Sequence, residues 1–91
     1  RTHDVTKRKA LFVNRRFTTH IFDMEANKGE ELLLELFDHL EKPENVYHHR
    51  WSADQLLLWD NRCTVHLACG DVPDNQLRTM LRTTVRGDVP V

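Results

Sequence analysis

The sequence predicts a mainly β chain with one helical insertion. Three observations carry that expectation. Short apolar runs recur between clusters of Asn, Asp, Gly and Pro, which punctuate strands and turns. A single stretch has helical periodicity. The C-terminal part of the chain is rich in Thr, Val and Leu at alternating positions, a composition that suits strands.

The elements follow in order. Residues 1–9 are polar and charged, and residues 10–13, Ala-Leu-Phe-Val, read as a buried strand. Asn14-Arg15-Arg16 reads as a turn, and residues 17–24 as extended chain. The helix is predicted at about residues 28–41, because Leu33, Leu36, Phe37 and Leu40 fall on one stripe. Asn27 is the expected cap, with Glu30 three residues later. Pro43 lies just beyond the expected end, where a proline stops a helix. Further strands are expected at residues 47–51, 55–59, 63–68 and 77–85. Between them lie turns at Ser52-Ala53-Asp54 and Asp60-Asn61-Arg62 and a loop over residues 70–76. Asp and Asn favour such turns because their side chains bond to nearby backbone.

Composition bounds the function. The chain has 91 residues, so it is at most one domain. Thirteen Lys and Arg against 14 Asp and Glu leave a formal charge of −1. That balance argues against electrostatic nucleic-acid binding. Runs such as Leu32-Leu33-Leu34 and Leu56-Leu57-Leu58 fall far short of a membrane-spanning helix, which needs about 20 residues. The two cysteines, Cys63 and Cys69, are too few for a disulfide framework. They favour a reducing, cytoplasmic setting. Residues 1–16 lack the apolar core of a signal peptide, and since the first residue is Arg1, not Met, the expectation is that the sequence starts partway through a longer polypeptide.

The chemistry concentrates in Trp59-Asp60-Asn61-Arg62-Cys63-Thr64-Val65-His66 and in residues 78–82. On a strand, Arg78, Met80 and Arg82 share a face. Two arginines on a buried face need anionic partners, which a small dicarboxylate or sulfonate supplies. Alternation does not say which face is inside, so a solvated face remains the alternative. For His66 the alternative is a structural or exposed histidine. A zinc site from Cys63, His66 and Cys69 is rejected, because on a strand His66 points away from the two thiols.

These blocks resemble the taurine dioxygenase family of Fe(II)- and 2-oxoglutarate-dependent oxygenases. The resemblance runs from Arg1-Thr2-His3 and Lys9-Ala10-Leu11-Phe12-Val13-Asn14, through Leu40-Glu41-Lys42-Pro43-Glu44 and His49-Arg50-Trp51. It continues through the Trp-Asp-Asn-Arg-x-Thr-x-His block to Arg78-Thr79-Met80-Leu81-Arg82 and Gly87-Asp88-Val89-Pro90. It implies part of a double-stranded β-helix, or jelly roll, in which residues 1–91 form the C-terminal segment of one domain. It implies that His66 is the distal histidine of a two-His, one-carboxylate iron triad, which leaves positions on the metal open. Arg78 matches the arginine that pairs with 2-oxoglutarate, and Arg82 one that holds an anionic substrate. The implied reaction consumes O2 and 2-oxoglutarate, releases succinate and CO2, and hydroxylates a small, anionic substrate: a sulfonate, sulfate ester or carboxylate.

The sequence departs from the family at several points. The turn before the Trp-Asp-Asn block is Ala53-Asp54-Gln55 instead of Pro-Gly-Asp, Leu67 replaces a common Tyr, and Leu77 replaces an Arg. The His-x-Asp motif that supplies the first iron ligands is absent. His39-Leu40-Glu41 lies in the predicted helix, where residues two apart face different directions. His3-Asp4 has the wrong spacing, and His20, His48 and His49 have no carboxylate two residues on. The expectation is that the missing ligands lie in an upstream part of the protein, and that this part or a second chain completes the barrel, with a homo-oligomer as a further arrangement. The segment alone is then inactive. The competing readings are a non-catalytic remnant or interaction module and an anion-binding jelly roll independent of iron.

Overall fold

The computed structural model describes residues 1–70 and 72–89. Its one long element is helix α1, Ala26–Leu40, followed by a 3-10 turn at Pro43–Asn45. The helix lies where periodicity predicts it. Gly29, Leu33 and Phe37 line its buried face, while Leu32, Leu36 and Leu40 are half-buried.

The start of the helix departs from expectation. Glu25, not Asn27, is the cap. Its carboxylate accepts hydrogen bonds from the backbone N–H groups of Asn27 and Lys28, at 3.1 and 3.3 Å. A carboxylate there satisfies two otherwise unpaired donors and faces the positive end of the helix dipole. At the other end the Glu41 N–H donates to the Phe37 carbonyl at 3.0 Å. The Asn45 side chain donates to the His39 carbonyl at 2.9 Å, occupying one of the last open acceptors. Pro43 then opens the 3-10 turn, as its position past the helix predicts.

The mainly β jelly roll is not what the structure shows. Among the described residues there are no strands and no sheet; an isolated antiparallel bridge joins Thr2 and Lys9. The segments expected as strands at residues 10–13, 47–51, 55–59, 63–68 and 77–85 carry no ladder. The physical reason lies in where each element finds its hydrogen bonds. A helix pairs its own backbone within four residues. A strand must borrow its partner from elsewhere, and its apolar face needs a second surface to cover it. Here Leu56, Leu77 and Leu81 are 91%, 93% and 97% exposed, so no second surface is in place. The turns between these segments do form, at Arg15–Phe17, Ala53-Asp54, Asn61–Cys63 and Asp74-Asn75, because turn chemistry is local.

The core sits against α1. Ile21 and Met24 approach Gly29 from the preceding segment, and Leu33 and Phe37 are the buried hydrophobic residues. Arg15 lies over the Phe37 ring, 5.1 Å from its centroid, and its guanidinium pairs with Asp38 and Glu41. Those two carboxylates, Glu41 foremost, push the Arg15 pKa up. A groove of about 430 Å³ runs beside the helix, lined mainly by apolar side chains.

Candidate functional site

The site is built from two turns far apart in sequence. The first spans residues 3–8. The His3 N–H donates to the Arg8 carbonyl and the Lys7 N–H to the His3 carbonyl, each at 2.8 Å. Lys7 adopts the left-handed conformation, with φ of 58°. This tight turn buries His3, the one polar side chain to be buried among the described residues.

The second turn spans residues 60–64. The Asp60 backbone carbonyl accepts from the Cys63 N–H at 3.3 Å and from the Thr64 hydroxyl at 2.7 Å. The Asp60 carboxylate accepts from the Arg62 N–H at 2.9 Å, which closes an Asx turn. The sequence predicts this turn, and the structure has it.

The two turns are clasped together. Thr6 donates its backbone N–H to His3 Nδ1 at 3.1 Å. Nδ1 is therefore the acceptor, and Nε2–H donates to Asp60 Oδ2 at 3.0 Å. Arg62 grips the same carboxylate with Nε and Nη2, at 2.8 and 2.6 Å. It reaches back to Asp4 with Nη1 at 2.7 Å. The Arg62 guanidinium first, and His3 second, hold the Asp60 carboxyl well below the usual carboxylate range. Asp60 in turn raises Arg62 above its ordinary value. A cavity of about 420 Å³ opens beside this clasp, lined by His3, Thr6, Arg8, Asp60 and Cys63 among others.

His3, Asp60 and Cys63 bring potential metal-ligand atoms within 4.8 Å of one another. The arrangement does not suit a cation. Both Asp60 oxygens are already engaged by Arg62, whose charge occupies the place a metal would take. It is a hydrogen-bonded ion-pair network.

The predicted site residues stand apart from the clasp. His66 is exposed, and its ring lies against the Trp59 indole with centroids 5.0 Å apart at 58°. Among the described residues its nitrogens have no hydrogen-bond partner, so both remain free for a ligand role. This fits one position of an iron site. The two other protein ligands are not gathered around His66, because the cluster of potential ligands found among the described residues does not contain it. Arg78 and Arg82 are exposed and form no ion pair among the described residues. Neither lines the groove beside α1 or the cavity beside His3. The structure thus does not bring His66, Arg78 and Arg82 into one cavity.

Sequence reasoning missed the roles of His3, Asp4 and Arg62. The signal was present as two separate blocks, Arg1-Thr2-His3 and Trp59-Asp60-Asn61-Arg62. Spacing alone cannot pair residues 57 positions apart.

The blocks that form the clasp and carry His66 fall within one family match. Residues 1–84 match the family described as "Taurine catabolism dioxygenase TauD, TfdA family". The chain belongs to that family, whose members use Fe(II) and 2-oxoglutarate. It is 41% identical over 66 residues to the alpha-ketoglutarate-dependent 2,4-dichlorophenoxyacetate dioxygenase of Cupriavidus pinatubonensis, covering 72% of this chain and 23% of the relative. It is 37% identical over 87 residues to the (S)-phenoxypropionate/alpha-ketoglutarate-dioxygenase of Sphingobium herbicidovorans, covering 94% and 29%. It is 33% identical over 91 residues to the alpha-ketoglutarate-dependent sulfate ester dioxygenase of Pseudomonas putida, covering 100% and 30%. The chain therefore spans less than a third of the length of these relatives. No solved structure matches. Among the described residues, no helix is long and apolar enough to cross a membrane.

Proposed function

We propose that this chain contributes the distal-histidine and arginine portion of an Fe(II)- and 2-oxoglutarate-dependent dioxygenase. Residues 1–91 are its C-terminal segment, and the His-x-Asp ligands come from sequence outside them. The enzyme hydroxylates a small anionic organic substrate with O2 and releases succinate and CO2. The observation that carries this reading is the family match over residues 1–84, which includes the block ending in His66. The named relatives act on phenoxy acids and sulfate esters, all anionic.

Each residue has a part in the proposal. His66 supplies one iron ligand through a ring nitrogen. Arg78 pairs with the distal carboxylate of 2-oxoglutarate, and Arg82 holds the anionic end of the substrate. Guanidinium groups suit both tasks because their planar fork matches carboxylate, sulfonate and sulfate oxygens. Both arginines are exposed and form no ion pair among the described residues, which is consistent with ligand roles.

The test uses a polypeptide extended upstream to include the His-x-Asp pair. Succinate formation is measured against phenoxyacetate, a sulfonate and a sulfate ester. His66→Ala is expected to abolish Fe(II)-dependent turnover. Arg78→Ala is expected to raise the KM for 2-oxoglutarate by about 10- to 100-fold, the usual cost of losing a hydrogen bond to a charged group. Arg82→Ala is expected to raise the KM of the anionic substrate instead. Unchanged turnover in His66→Ala would refute the ligand assignment. No turnover by the extended wild-type polypeptide would favour a non-catalytic member of the family.

A further inference from the structure

We propose that His3 and Asp4 are positioning residues for His66: they clamp the turn at residues 60–64 from which the His66 backbone emerges. This rests on the reading of His66 as an iron ligand and adds the residues that aim it.

The contacts that link His3 and Asp4 to His66 lie on one short path. The Asp60 carbonyl fixes Cys63 and Thr64 by hydrogen bonds of 3.3 and 2.7 Å. His66 follows two residues later. The Trp59 ring, on the residue before Asp60, lies 5.0 Å from the His66 ring. His66 is thus set from both sides of the turn, by the backbone after Asp60 and by the indole before it. What anchors the turn is Asp60, held by His3 at 3.0 Å, and Arg62, held by Asp4 at 2.7 Å. His66 has no hydrogen-bonded anchor of its own among the described residues. A metal-binding histidine depends on neighbours that fix its ring, and losing such a neighbour commonly costs 10- to 100-fold in metal affinity. Here the anchor acts one step further away, through the turn.

The chemistry of His3 allows its two bonds to be separated. Nδ1 accepts from Thr6 and holds the first turn closed, while Nε2–H donates to Asp60 and joins the two turns. An Asn side chain can offer an acceptor near the Nδ1 position but does not reach Asp60. A Gln side chain places an amide N–H near the Nε2 position. His3→Gln should keep the clasp, and His3→Asn should break it.

The experiment titrates Fe(II) anaerobically into the upstream-extended polypeptide with 2-oxoglutarate present. It follows the visible band of the iron–2-oxoglutarate chelate, with the melting temperature measured alongside. His3→Asn is expected to weaken Fe(II) binding by about tenfold. His3→Gln is expected to stay close to wild type. A merely structural role would lower the melting temperature of His3→Asn and leave the Fe(II) affinity of the folded protein unchanged, which would overturn the proposal. The control is His66→Ala. If it loses the band while His3→Asn binds iron normally, the positioning proposal alone fails. If His66→Ala keeps the band, the ligand reading fails and takes the proposal with it. Should His3→Asn not fold, Asp4→Ala decides, because it removes the acceptor of Arg62 Nη1, leaves Arg62 paired with Asp60 alone, and keeps His3 in place. Weaker Fe(II) binding in that variant supports the proposal, and unchanged binding overturns it.

Discussion

The Asp60 carboxylate accepts from His3 Nε2 and from the backbone N–H, Nε and Nη2 of Arg62. Its depressed pKa has a definite consequence for stability. A carboxyl that ionises more readily folded than unfolded contributes stability above its unfolded pKa, near 4. That contribution falls as the pH drops from about 4 through the lower folded value. Asp60→Asn removes the titrating group, so the acid limb of the stability curve should flatten in that variant. Unfolding midpoints of the upstream-extended protein between about pH 5 and pH 2 will check this. An unchanged acid limb would refute the role of Asp60. The residue also marks what can be read from a sequence. Its turn with Asn61 and Arg62 was legible, because an Asx turn is made by neighbours. Its bond to His3 was not, because nothing in the local pattern of either segment names a partner 57 residues away.

At the scale of elements, α1 was legible and the strands were not. Leu33, Leu36, Phe37 and Leu40 repeat at the helical period, and a helix completes its hydrogen bonds from its own residues. The cap was misplaced by two residues because Asn at 27 is a stronger cap type than Glu at 25. Gly29 offers a sharp test of the packing. A methyl group built there meets Met24 Cγ and Sδ at 3.9 Å and Ile21 Cβ at 4.0 Å, which is ordinary contact. Gly29→Ala should therefore stabilise the protein by about 0.5–1 kcal/mol, since alanine loses less backbone freedom in a helix. Leu33→Ala should destabilise it by about 2–3 kcal/mol, at the lower end for a buried leucine in a small core. Urea denaturation of the upstream-extended protein measures both. A destabilising Gly29→Ala would mean that Met24 and Ile21 lie closer to the helix than the structure places them.

The whole molecule is extended for its length. Its radius of gyration is 16.3 Å, against about 12 Å for a compact domain of this size. Large apolar side chains remain uncovered, among them Tyr47, Leu58, Leu67 and Val85. The 91 residues produced alone should bind 1-anilinonaphthalene-8-sulfonate, associate in sedimentation, and lack a cooperative unfolding transition. A monomer that unfolds sharply and leaves the dye dark would show that these faces find cover within the segment. At this scale the family was legible, because the Trp-Asp-Asn-Arg-x-Thr-x-His block is specific. The mainly β architecture was not realised, because alternation in Leu56, Leu58, Leu77 and Leu81 states what a strand would bury and supplies nothing to bury it against.

The clasp between His3 and Asp60 also sets an order of events in time. Joining two points 57 residues apart costs loop-closure entropy on the order of 3–4 kcal/mol. The helix needs no such closure and forms within about a microsecond. The clasp is therefore expected to close after the helix has formed. Interactions formed that late act mainly as a brake on unfolding. Substitutions at His3, Asp4 and Arg62 are thus expected to speed unfolding of the upstream-extended protein more than they slow its folding, which stopped-flow unfolding and refolding rates will check.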